Sequence, residues 1–116
     1  MNLKECYQAL GGDLDSVMGR MRTERMVTKF VLRFLDDKSC ETLMEAIARR
    51  DGEVAFRAAH TMKGICQNLS FDRLYESSHA LAECLRGGWD DAAPALAEQV
   101  VADYQVTAEA IRKLEV

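Results

Sequence analysis

A single proline, Pro94, stands in 116 residues, and apolar side chains recur at three- and four-residue spacings along almost the whole chain. With few β-branched runs and abundant Ala, Leu, Glu and Arg, that pattern predicts helix nearly throughout. Capping residues then divide it. Asn2 opens a short helix over residues 2–10, stopped by Gly11-Gly12, and Asp13 caps a further turn or two that Gly19 weakens. Thr23 opens the first long helix, with Val27, Phe30, Val31 and Phe34 as its inward stripe. Ser39 is placed to cap a helix carrying Leu43, Ala46 and Ile47, and Gly52 to end it. The next helix runs from about Glu53 to Leu69. Ser70 is placed to cap its successor, whose Phe71, Leu74, Tyr75, Ser78, Leu81 and Leu85 face inward until Gly87-Gly88. A last helix begins near Asp90 or Asp91, tolerates Pro94 in its first turn and continues one face through Leu96, Val100, Tyr104 and Ile111. Amphipathic helices joined by short turns bury their stripes most simply as an antiparallel bundle. Residues 39–116 supply four such segments, residues 23–36 pack with them, and 1–116 reads as one all-α domain.

Charge narrows the partners. The formal net charge is −4, and neither nucleic acid nor an anionic membrane suits a chain without clustered positive charge. There is no run of 18 apolar residues, and Met-Asn-Leu-Lys-Glu-Cys lacks the apolar segment of a signal peptide, so a cytoplasmic protein is expected. Cys6, Cys40, Cys66 and Cys84 are irregularly spaced with no Cys-x-x-Cys pair, which predicts reduced, mostly buried thiols. His60 with Cys66, and His79 with Cys84, fall roughly 120° and 140° apart around a helix and do not converge on one ion, so no metal site is expected.

The chemistry concentrates in Ala58-Ala59-His60-Thr61-Met62-Lys63-Gly64-Ile65-Cys66-Gln67-Asn68-Leu69. At about 100° per residue, Lys63, Gly64 and Gln67 lie about 60°, 40° and 20° from His60, forming one polar stripe. Ala55, Ala58, Met62, Ile65 and Leu69 fall roughly opposite, so the histidine points away from the core. A neutral imidazole keeps one unprotonated ring nitrogen near neutral pH and is a competent phosphoryl acceptor. Lys63, one turn on, can place an ammonium beside phosphoryl oxygens. No glycine-rich phosphate loop and no kinase signature is present, so ATP cleavage is not expected.

His-Thr-Met-Lys-Gly followed by Asn-Leu, within Arg-Ala-Ala-His-Thr-Met-Lys-Gly, resembles the signature of histidine-containing phosphotransfer (HPt) domains. The similarity is clearest over residues 51–86, and the family commonly has glycine after Asn-Leu where this chain has Ser70. The resemblance implies four antiparallel helices, up-down-up-down, with additional N-terminal helix or helices and the reactive histidine exposed midway along one helix. It also implies a phosphocarrier that accepts a phosphoryl group on His60 from the aspartate of a response-regulator receiver domain and passes it on. The receiver would bring its own Mg²⁺, leaving this chain without a cofactor of its own, and a hybrid sensor histidine kinase is expected among the partners of a monomeric carrier.

Around that centre, Gly64 leaves room for a partner's approach, while Gln67 and Asn68 either orient the imidazole, touch the partner or are merely solvated. Phe56 lies about 40° from His60 on the polar side, where an aromatic is either covered by the neighbouring helix or presented to a partner. Arg86 could face the phosphoryl site as a basic residue on the adjoining helix does in some family members. His79 is expected to be simply exposed, and Met18, Met21, Met26 and Met44 to fill core space. Two rivals remain: a non-catalytic helical interaction bundle with an inert surface histidine, and a helical enzyme using His60 as general base, for which no second catalytic group is visible.

Overall fold

Three of the expected caps are made by short local hydrogen bonds. Asn2 Oδ1 accepts from Glu5 N at 2.8 Å while Glu5 Oε1 accepts from Asn2 N at 2.9 Å, a reciprocal capping box that opens α1 (Leu3–Leu10). Asp13 Oδ1 accepts from Ser16 N at 3.1 Å to open α2 (Leu14–Met21). Thr23 Oγ1 accepts from Met26 N at 3.2 Å to open α3 (Glu24–Arg33), which tightens into a single 3₁₀ turn over Phe34–Asp36. The remaining helices are α4 (Ser39–Ala48), α5 (Gly52–Leu69), α6 (Asp72–Leu85) and α7 (Ala93–Arg112). The computed structural model describes residues 1–115, and among them there is no strand.

Helices α4 to α7 close a ring: α4 packs on α5, α5 on α6, α6 on α7 and α7 back on α4. Helix α1 lies against α7, and α2 against α3. Leu43 of α4, Met62 of α5, Leu74 and Leu81 of α6 and Val100 of α7 have no exposed surface, and burying such side chains supplies the main drive for association. Phe71 joins the N-terminal segment to the ring, its centroid 5.6 Å from Tyr7 and 5.3 Å, edge-on, from Phe34. Two turns are also tied backbone to backbone, Asp13 N donating to Ser70 O at 2.9 Å and Arg73 N to Gly11 O at 3.1 Å.

Several boundaries differ from the sequence reading, each for a local reason. Ser39 does not cap α4: Asp37 Oδ2 accepts from Ser39 N at 2.9 Å, and Ser39 is the first helical residue. Gly52 opens α5 instead of ending α4, because Arg50 takes the left-handed turn at φ +57° and a Cβ on Gly52 would sit 2.7 Å from Trp89 N. Ser70 ends α5 at φ +57° and does not cap α6, which starts after Phe71 without a side-chain cap. Helix α7 starts at Ala93, later than Asp90 or Asp91, since Asp90 Oδ1 accepts from Ala92 N at 2.8 Å and holds a turn ahead of it. Met26 and Met44 are 38% and 51% exposed and fill no core, whereas Met18 and Met21 are half-buried against it. Ile65, Tyr75, Leu96 and Tyr104 are likewise only half-buried, while Ala59, Asp103 and Thr107 are buried without having been expected there. Among the described residues no helix is long and apolar enough to cross a membrane.

Candidate functional site

Asp51 Oδ1 accepts from Val54 N at 3.2 Å and starts α5. Ala55, Ala58, Ala59, Met62, Cys66 and Leu69 then bury one face, so the helix can turn only its other face to water. His60, Gly64, Gln67 and Asn68 are exposed on that outer side, and Lys63 is half-buried beside them. The expected stripe therefore exists as a continuous surface. A Cβ built on Gly64 meets nothing within 4 Å, and an open depression of about 320 Å³ is lined by Arg20, Gly64, Gln67 and Asn68.

Phe56, one turn before His60, is half-buried and packs against the core. Its ring stacks on the imidazole with centroids 5.8 Å apart and planes at 20°. On the same phenyl ring lies the Arg86 guanidinium, 5.5 Å from its centroid. Arg86 is held in turn by Glu83, with Nη2 donating to Oε1 at 2.7 Å and Nε to Oε2 at 3.2 Å. The hydrogen bond from Arg86, together with the charges of Arg86, His79 and Lys63, holds the Glu83 carboxyl below the ordinary carboxylate range. Helix α6 thus presents its C-terminal turn to the histidine stripe of α5.

His79 is not simply exposed. It is half-buried, stacked on Tyr75 at 5.7 Å and 5°, and its Nδ1 is enclosed without a hydrogen-bond partner. One residue escaped the sequence reading altogether. Arg20 of α2 donates through Nη2 to Asn68 O at 2.7 Å, Gln67 O at 3.2 Å and Ser70 Oγ at 2.6 Å, so it caps the C-terminal carbonyls of the histidine helix from outside. A basic residue in the last turn of a short helix carries no signal for so distant a contact.

Cys6, Cys40 and Cys66 are buried and Cys84 half-buried, all as free thiols. Burial, aided by the nearby charge of Asp37, pushes the Cys40 thiol up to about 11. Among the described residues no group of three His, Cys, Asp or Glu side chains is placed to hold a metal ion. A cavity of about 640 Å³ between α4 and α7 includes neither histidine.

Residues 31–114 match the Hpt domain family. This chain belongs to the Hpt domain family. The matched stretch takes in α4 to α7 entire, and it leaves α1 and α2, with Arg20, outside. No curated protein and no solved structure gives a significant match. Hpt domains are helical phosphotransfer modules rather than kinases; they serve two-component phosphorelays, carry the group as phosphohistidine and interact with response-regulator receivers.

Proposed function

We propose that this Hpt domain carries its phosphoryl group on His60, accepting it from a receiver aspartate and passing it to another acceptor. The observation that carries the reading is an exposed histidine on α5 with Lys63 one turn away and unoccupied space over Gly64. In the transfer, the unprotonated imidazole nitrogen attacks phosphorus in line. A new N–P bond forms as the acyl-phosphate O–P bond breaks, and the aspartate leaves as a carboxylate. The proton on the other ring nitrogen stays, giving a phosphoimidazolium that Lys63 steadies by placing positive charge near the phosphoryl oxygens.

Gly64 keeps the approach clear, and Gln67, Asn68, Arg86 and the outer edge of Phe56 border the surface a receiver would cover. The receiver supplies Mg²⁺; this domain supplies neither metal nor ATP site. Residues 1–116 act as a single domain, in which α4 to α7 form an antiparallel up-down-up-down four-helix bundle and α1 to α3 are added at its N-terminal side. It works as a cytoplasmic monomer, with a hybrid sensor histidine kinase among its partners.

Incubation with a ³²P-phosphorylated receiver tests the reading. Label should appear on the domain as an acid-labile, alkali-stable adduct, persist in His79→Gln and vanish in His60→Gln. Label that survives in His60→Gln and is lost in His79→Gln would move the acceptor to α6. No label from any receiver, in a folded protein, would leave an inert interaction bundle.

A further inference from the structure

The histidine of a solvated helix face ordinarily samples several χ1 and χ2 settings, and transfer needs only the one that aims a ring nitrogen at phosphorus. Here the imidazole is not free. Phe56, at i−4, lies on the same face and stacks on His60 at 5.8 Å and 20°, within the range of favourable offset stacking. The phenyl ring is itself restrained. It packs against the core on one side and bears the Arg86 guanidinium at 5.5 Å, while Glu83 fixes that guanidinium with two hydrogen bonds. Glu83, Arg86, Phe56 and His60 form an unbroken chain of contacts from α6 to the imidazole.

We infer that Phe56 is a positioning residue for phosphotransfer, its ring setting the plane of the His60 imidazole and being held in turn by the Glu83–Arg86 pair. The inference rests on His60 being the acceptor, and it assigns Phe56 a role beyond contact with the receiver. An aromatic that only docked would be spread toward solvent, whereas this one is half-buried between a base and a cation. Stacking against one side of the imidazole leaves the ring's edge, where the nitrogens lie, open to an incoming phosphoryl group. Glu83 and Arg86 act at one remove: as an exposed pair they add little to stability, but they limit the settings open to the phenyl ring.

The test is Phe56→Leu, which keeps apolar volume and loses the ring, beside Phe56→Tyr, which keeps the stack. In single-turnover transfer from a phosphorylated receiver, Phe56→Leu should lower the rate at saturating receiver, where any loss of docking is made up by concentration, about two- to tenfold, the range that loss of one aromatic pair implies. Phe56→Tyr should restore the rate. Arg86→Gln and Glu83→Gln, which leave the ring in place, should give smaller losses in the same direction, and they remain informative should Phe56→Leu fold poorly. A raised half-saturating concentration with an unaltered saturated rate would make Phe56 a docking residue only and overturn the inference, as would wild-type kinetics. One arm needs no receiver: in ¹H–¹³C spectra the His60 ring protons should shift downfield in Phe56→Leu as the ring current is lost, and not in Phe56→Tyr. If that shift is seen while His60 takes no label, the acceptor assignment fails and the stack stands. If His60 is labelled and its ring protons do not move, the positioning role fails alone.

Discussion

Gly64 and Gly52 are the same residue in the same helix, and their surroundings give them opposite meanings. Inside a helix glycine costs roughly 0.5–1 kcal/mol relative to alanine, so each needs a reason. For Gly52 the reason is contact, since a Cβ there would press on the backbone of Trp89 at 2.7 Å. Around Gly64 there is only open space. Gly64→Ala should therefore stabilise the fold by about 0.5–1 kcal/mol in urea titrations, while Gly64→Gln should stay folded and lose phosphotransfer by obstructing the receiver. A folded Gly64→Gln protein with undiminished transfer would remove the access role. The placement of Gly64 beside His60 was legible because both lie on one helix and its period is known. Gly52 was misread as a helix end because the residue that decides its role, Trp89, belongs to a distant turn.

Caps show the same division between near and far. Asn2, Asp13 and Thr23 were readable because each side chain bonds an amide within its own first turn. Ser39 and Ser70 were not: a competing carboxylate two residues earlier takes the Ser39 amide, and Arg20 claims the Ser70 hydroxyl. Ser70 sits at φ +57°, the left-handed conformation that glycine adopts most easily, and it occupies the position where the resemblance led one to expect glycine. Its oxygen, buried and bonded to Arg20, offsets that backbone cost. Removing the guanidinium with Arg20→Ala should destabilise the domain by about 1–2 kcal/mol and speed amide exchange in the last turn of α5. Unchanged exchange there would mean water replaces Arg20 without loss.

The ring of α4 to α7 could be anticipated from amphipathic segments and short turns, whereas the seating of α1 on α7 could not, because no local pattern names a distant partner. Tyr7 of α1 is buried at the junction of α5 and α6, its ring beside Phe71 and its hydroxyl donating to Leu69 O at 2.8 Å. Burial holds the Tyr7 phenol far above its ordinary value of 10.0, and the Cys66 thiol far above 9.0. Both are neutral when folded, so their contribution is complete below the unfolded values. It is lost as pH rises past them, because only the unfolded chain then releases protons. The urea midpoint should accordingly hold steady from pH 7 to about 8.5 and fall above about pH 9; a midpoint that rises there would contradict the burial of both groups. The two backbone bonds joining the turn at Gly11 to Asp13 with the turn at Ser70 to Arg73 bear on the time course of folding. They close a long loop, whereas successive helices of the ring meet across short ones, and long loops form at greater entropic cost. The clasp should therefore fasten after the rate-limiting step. Gly12→Ala, whose Cβ would meet Ser70 O at 2.6 Å, should quicken unfolding in stopped-flow chevrons and leave the refolding limb in place. Slowed refolding would put the clasp in the nucleus, and the N-terminal segment would then guide the assembly of the helices that follow it instead of locking them afterwards.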